Sequence, residues 1–306
     1  MIDLVNYFIL KSIYLWLIIY CLINNCTSDL NLANNKMNIK EITNKVIVVT
    51  KEVGTYLKGE QNKITSEKIE KKGRNDFVTY VDKTAEQKIV NKLKVILPEA
   101  GFIAEEGTET KQAEEYNWII DPLDGTTNFI HGLKPFSISI ALQKKKEIII
   151  GVVFEVGLNE CFYAYRNGGA FLNGEPISVS KTDNLSESLI ATGFPYYDYR
   201  RLPNFMKSLQ YFIENTHGVR RFGTAATDLA YVACGRFEAY YEYGLQSWDV
   251  AAGSLIVKEA GGKVSDFLGG NNYIFGKEII VGNYNVFDSF FVKIDSFYNK
   301  ECRKTH

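Results

Sequence analysis

The run Trp118-Ile119-Ile120 passes without a break into Asp121-Pro122-Leu123-Asp124, and Gly125-Thr126-Thr127 follow at once. Large apolar residues rich in β-branching read as a buried strand. Carboxylates at the end of such a strand are expensive unless they are paired or bound to a metal. This stretch therefore asks for a cleft in which something offsets two negative charges. In one reading an aspartate is a phosphoryl-accepting nucleophile; in the other, Asp121 and Asp124 are ligands of divalent cations. A nucleophile and its acid/base partner need i and i+2 spacing to lie on one side of an extended strand end. Here the spacing is i and i+3 with Pro122 between, so the cation reading stands. Asp124 opens the turn into Gly-Thr-Thr-Asn-Phe, where the backbone N–H groups of Gly125 and Thr126 are free to point at an anion.

Acids that meet at such a place repel one another unless cations lie between them, and Mg²⁺ suits a site of hard oxygen ligands that leaves room for water. Further acids are available. "FIAEEGTE" puts Glu105 and Glu106 at the end of another short apolar run, and "SWDVAAGSLIVKEAGG" reads as a helix capped by Ser247 with Asp249 in its first turn. Taken singly, each has a plain structural reading: Asp124 as a helix cap, Glu105 and Glu106 as solvated turn residues, Asp249 as a partner of the helix dipole. Their joint occurrence favours the metal cluster.

The chain has 306 residues and is 46% apolar, which is enough for a large core in one big domain or two smaller ones. Lys and Arg number 35 against 36 Asp and Glu, so there is no excess of positive charge of the kind that nucleic-acid binding demands. The five cysteines are scattered with no C-x-x-C, which argues against a zinc cage or a disulfide framework and for a reducing compartment. Residues 1–36 are strongly apolar. They read as upstream sequence before a true start at Met37, or else as a signal peptide or membrane anchor. The location expected is cytoplasmic, or membrane-anchored or exported if that leader is retained.

After Met37, Ile39, Ile42, Val46, Val49, Val53 and Leu57 recur at helical steps of three and four, with a polar tail to about Lys72. Thr79 and Asp82 form a capping-box-like start to a second helix, which Pro98 stops. A strand-rich middle follows, with hairpin or bulge signals at Asn167 and Asn173. Helices are expected again around Pro203 to Glu214 and through "TAATDLAYVACG" to Gly235, with the strand "FEAYYEY" after them. The expected class is α+β, with an N-terminal subdomain at 37–185 and a C-terminal one at 186–306 sharing one cleft.

"DPLDGTTNF", "AEEG" and "WDVAAG" followed by "EAGG" resemble the inositol monophosphatase family, within the lithium-sensitive, magnesium-dependent sugar phosphatases. The resemblance runs from about Met37 to the C-terminus. It implies a layered α-β-α-β-α fold, a homodimer, and two or three Mg²⁺ held by Glu105, Asp121, Asp124, Asp249 and the Leu123 carbonyl. Gly125 and Thr126 match phosphate-binding positions, and Asp82 matches an acid that pairs with the motif threonine. Asp124, Ala225, Glu242 and Asp249 fall on the substrate side, and Lys71 falls near the cleft mouth. The implied reaction is hydrolysis of inositol 1-phosphate, a phosphoric monoester, without a phosphoenzyme; Glu105 and Thr126 orient the attacking water. Histidinol phosphate, a sugar bisphosphate and a 3'-phosphonucleotide are the alternative substrates, and a non-catalytic membrane-tethered binder is the alternative class. "ATGFPYYDYRR", Ala191 to Arg201, departs from the animal enzymes where their ring-contacting loop lies.

Overall fold

The computed structural model describes residues 37–61, 63, 69–71, 77–196 and 198–298. The leader at 1–36 lies outside them. From Ile39 onward the described residues form one compact unit. The apolar stripe of the first helix, α1 (Ile39–Gln61), is buried through Ile42, Val46, Val49, Val53 and Leu57. The expected tail to Lys72 is shorter, because α1 ends at Gln61 and Ile69–Lys71 forms the short strand β1, paired with β2 (Phe77–Thr79). Helix α2 (Tyr80–Ile96) carries Asp82 in its first turn and stops two residues before Pro98.

Seven strands then build a sheet in chain order: β3 (Gly101–Ala104), β4 (Tyr116–Asp124), β5 (Ser137–Lys144), β6 (Glu147–Glu155), β7 (Glu160–Tyr165), β8 (Ala170–Leu172) and β9 (Glu175–Ile177). The short helix α3 (Thr126–Ile130) sits between β4 and β5. Asn167 and Asn173 adopt positive φ at the two turns where the sequence places hairpin signals. Strands β5 and β6 are buried on both faces over most of their length, which is why they read as near-continuous apolar runs. Helices α1 and α2 cover one face of this sheet.

Five further strands form a second sheet, ordered β11 (Gly218–Arg220), β10 (Leu189–Thr192), β12 (Ala239–Tyr243), β14 (Glu278–Gly282), β13 (Lys263–Ser265). Helices α5 (Ala225–Ala233) and α6 (Ser247–Glu259) lie between the sheets and touch strands of both. They share one core in which Ile119, Val153 and Phe162 of the first sheet join Leu229, Ile256, Tyr240 and Val281. At roughly 1.5–3 kcal/mol for each fully buried large side chain, this shared core is what locks the halves together. Helices α4 (Leu202–Asn215) and α7 (Phe287–Tyr298) close the far side through Phe205, Phe212 and Phe290. The layers run α-β-α-β-α.

The seat of α6 is built from small residues. Ala141, Gly151 and Ala164 stand side by side across β5, β6 and β7. A Cβ at Gly151 would come within 2.5 Å of the Ala252 carbonyl oxygen. The backbone of α6 thus rests directly on the sheet.

Candidate active site

Strand β4 does not end at Asp121, as its apolar run implies, but carries on to Asp124 through a register shift opposite β5. Pro122 has no N–H to give to the ladder, and the bulge re-aims the chain. Asp121 is buried and accepts the Leu123 N–H at 2.9 Å. Gly125 follows with φ 90°, a left-handed conformation that residues with a Cβ rarely take, and turns the chain into α3. The Thr126 hydroxyl then lies 3.1 Å from Asp82 Oδ1 and 3.0 Å from the Leu123 carbonyl oxygen. The threonine expected to pair with Asp82 does so.

Glu105 follows β3, and its backbone N–H donates to the Ile120 carbonyl at 3.2 Å, so the two acid-bearing strand ends lie side by side. Its carboxyl is within hydrogen-bonding reach of Asp121. The turn is held from beneath by Glu86 of α2, fully buried, whose carboxylate accepts N–H groups from Glu106 and Thr108 at 2.7 and 2.8 Å. Glu86 escaped sequence reading because it falls on the buried face of a helix, where the pattern offers only apolar signals.

Asp124 meets the C-terminal half. Its Oδ2 accepts the Thr224 hydroxyl and, at 2.8 Å, the Ala226 N–H at the start of α5. Thr224 is the N-cap of α5, accepting from Thr227 N at 3.3 Å. Asp249 lies in the first turn of α6, where its Oδ2 accepts the Gln246 N–H at 2.7 Å. The cap is Gln246, not Ser247 as expected: Ser247 is already helical, and Gln246 with Asp249 makes a reciprocal capping box. Glu242, on β12, accepts the Tyr240 hydroxyl at 2.5 Å, and its carboxylate lies so close to Gly193 that a Cβ there would meet Oε2 at 1.9 Å.

Of the residues the family resemblance assigns to the metals, phosphate and substrate, Glu105, Asp121, Leu123, Asp124, Gly125, Thr126, Ala225, Glu242 and Asp249 line one cleft of about 790 Å³ that takes residues from both halves, and Asp82 does not. Glu106 does not line it. Lys71 ends β1, and its side chain is outside the described residues. The departing segment supplies Gly193, Phe194, Tyr196, Asp198, Arg200 and Arg201 to the wall. Arg201 anchors it, with its guanidinium 4.9, 5.0 and 4.8 Å from the rings of Tyr243, Phe267 and Tyr298 and paired with Glu278.

Burial pushes the carboxyls of Asp121 and Asp249 well above the usual range, and neighbouring acids push the same way: Glu105, Asp124 and Asp249 on Asp121, and Asp124 and Glu105 on Asp249. Asp124 is raised to about 6 by burial, against the pull of Thr224, Ala226 and Arg221, and Glu242 is raised by burial to about 7. Among the described residues, no three Asp, Glu, His or Cys groups close into a ready-made metal cage. Asp121, Asp124 and Asp249 each have one oxygen on a backbone N–H of the chain. The donor set nonetheless fits a hard divalent cation: mutually repelling carboxylates, oxygen-only, with no sulfur or imidazole lining the cleft.

Besides Glu86, three residues of the site were not legible beforehand. Ser137 and Ser139 point from β5 toward the second half, where Ser137 Oγ meets Thr224 Oγ1 at 3.0 Å and Ser139 Oγ donates to the Trp248 carbonyl at 2.9 Å. Their signal is the Ser-Ile-Ser-Ile alternation inside an otherwise buried strand. The third is Arg221, which lines the cleft.

Residues 38–297 match the inositol monophosphatase family. A Pseudomonas aeruginosa protein named Nus factor SuhB is 42% identical over 231 residues, covering 74% of this chain and 85% of the relative. An inositol-1-monophosphatase of Mesorhizobium japonicum is 37% identical over 243 residues, covering 79% and 91%. Among solved structures, the extragenic suppressor protein suhB of Bartonella henselae superposes with a TM-score of 0.80 at 38% identity, covering 83% of this chain and 98% of that one. A Thermotoga maritima IMPase gives 0.75 at 36% identity, covering 82% and 95%. With its fold, its acid-lined cleft and these relatives in agreement, the chain belongs to the inositol monophosphatase family.

Proposed function

We propose that this chain is a Mg²⁺-dependent phosphomonoesterase that hydrolyses inositol 1-phosphate to inositol and phosphate. The observation that carries the reading is that Glu105, Asp121, Asp124 and Asp249 line one cleft, although the four come from three distant stretches of chain. Glu105, Asp121 and the Leu123 carbonyl would hold one Mg²⁺, and Asp121, Asp124 and Asp249 a second, with a third, weaker ion near Glu105. Bound there, Mg²⁺ neutralises charge on the phosphoryl group and lowers the pKa of a coordinated water.

The chain supplies position. Thr126, whose hydroxyl is fixed between Asp82 and the Leu123 carbonyl, orients the attacking water together with Glu105. The N–H groups of Gly125 and Thr126 take phosphoryl oxygens. Asp124 and Asp249 face the leaving oxygen, while Glu242 and the Ala225 backbone receive ring hydroxyls. Positioning of this kind carries most of the rate in phosphoryl transfer. The same reading makes the protein a lithium-sensitive, cytoplasmic homodimer. No helix among the described residues is long and apolar enough to cross a membrane.

Phosphate release from inositol 1-phosphate, histidinol phosphate, fructose 1,6-bisphosphate and a 3'-phosphonucleotide, with Mg²⁺ and with EDTA, tests the reaction and ranks the substrates. Asp124→Asn and Asp249→Asn are each expected to lower kcat by at least about 1000-fold with an unchanged circular dichroism spectrum. Near-normal turnover in either variant would overturn the assignment.

A further inference from the structure

Arg166, Arg200, Arg201 and Arg236 each pair with a carboxylate. Arg221, just after β11 and two residues before the Gly-Thr that opens α5, does not. Among the described residues it forms no ion pair, and its Nε is buried without a hydrogen-bond partner. Its guanidinium is clamped instead between two ring faces, 5.3 Å from the centroid of Phe194 and 5.5 Å from that of Tyr196, and it lines the cleft. A buried donor left unsatisfied costs about 1–3 kcal/mol, so its retention calls for a partner that arrives from outside. Stacking on aromatic faces fixes the plane of the fork in advance and leaves its N–H groups free at the edge.

The surroundings define what that partner is. Arg221 lines the cleft together with Asp124 and Glu242, and Asp228 of α5 also feels its charge, so the guanidinium stands on the leaving-group side among these acids. A second phosphate or carboxylate placed there would face those acids. A neutral hydroxyl would not: it can accept from Arg221, and its neighbour on the same carbon skeleton can donate to Glu242. We propose that Arg221 is a specificity-determining residue, and that with Glu242 it forms a donor and acceptor pair that reads adjacent hydroxyls on the leaving group. The substrate class is then phosphomonoesters of polyols, not of plain alcohols. The inference rests on the phosphomonoesterase reading and goes beyond it, because the metal-binding acids alone do not distinguish one alcohol from another.

The test compares inositol 1-phosphate with cyclohexyl phosphate, which keeps the ring and loses its hydroxyls. The readout is the ratio of kcat/KM for the two substrates, in full-length protein with Mg²⁺, for wild type, Arg221→Ala and Arg221→Lys. In Arg221→Ala the ratio is expected to fall about 10- to 100-fold, chiefly through KM for the inositol ester, as the loss of a charged hydrogen bond predicts. Arg221→Lys keeps the charge but not the fork, and is expected to lie between the two. A ratio within twofold of wild type in Arg221→Ala overturns the proposal, and so does full recovery in Arg221→Lys. If Arg221→Ala does not fold, the lysine variant decides alone by the same criterion. Wild-type protein that hydrolyses neither of these esters, nor histidinol phosphate, fructose 1,6-bisphosphate or a 3'-phosphonucleotide, refutes the phosphomonoesterase reading itself, an outcome distinct from a failure confined to Arg221.

Discussion

Gly151→Ala tests whether the packing of α6 sets the position of Asp249. The new Cβ would lie 2.5 Å from the Ala252 carbonyl oxygen and 3.0 Å from the Ala252 Cα, both backbone atoms that cannot rotate away. Ordinary contact begins near 3.4 Å, so the helix must back off the sheet by about 0.9 Å. Asp249 is three residues from Ala252 on the same helix and moves with it. Overpacking of this size costs about 1–3 kcal/mol. Reacting groups tolerate about 0.5 Å of misplacement, and a shift near 1 Å costs on the order of 100-fold in rate. The expected result is a lower urea midpoint together with a fall of about 100-fold in kcat/KM for Mg²⁺-dependent phosphate release. The reasoning fails if the variant is destabilised but stays within threefold of wild-type activity, because the sheet would then not set the position of the carboxylate. It also fails if neither quantity changes.

Two other perturbations probe the charges and the cap. In EDTA-treated protein, Asp124 at about 6 and Glu242 at about 7 bind protons in the folded state that the unfolded chain does not hold until near its ordinary carboxylate pKa of about 4. Stability should therefore rise as pH falls from 8 to about 5, by up to about 1.4 kcal/mol per pH unit for each group while it titrates, and gain nothing more below about 4. Thermal midpoints that fall over that range would contradict it. Thr224→Ala removes both the α5 cap and the hydroxyl on Asp124; it should destabilise by about 1–2 kcal/mol and raise the Mg²⁺ concentration for half-maximal activity several-fold, while Thr224→Ser restores both.

Much of this molecule could be read in advance because its signals are local. The stripe of α1, the stop at Pro98, the positive-φ asparagines at 167 and 173, and the acids at the ends of β3 and β4 all follow from residues a few positions apart. The continuous apolar runs of β5 and β6 carry the double-sided burial of the central layers. What escaped depends on partners distant in the chain. The capping role shifts from Ser247 to Gln246 because Asp249 closes a reciprocal pair with the Gln246 backbone. The bulge that carries β4 on to Asp124 is set by its pairing with β5. Glu86, Ser137 and Ser139 act on segments 20, 87 and 109 residues away. Arg221 sits in a tandem "RR" that has no period, and its meaning emerges only when Phe194 and Tyr196 close over it.

The serines of β5 bear on how the protein acquires its activity. The links from Ser139 to Trp248 and from Asp124 to Thr224 close loops of about a hundred residues. Such closures come late, because the entropy of a long loop must be overcome before its contacts reward it. The turn from Asp124 to Thr126 is local and can form with its own sheet, but Asp249 and the groups that hold Asp124 are brought in only when α5 and α6 dock between the sheets. Secondary structure and much of the burial therefore return before turnover does. A chain that had formed only its first sheet would present Glu105, Asp121 and Asp124 without Asp249, only part of the acid lining of the cleft.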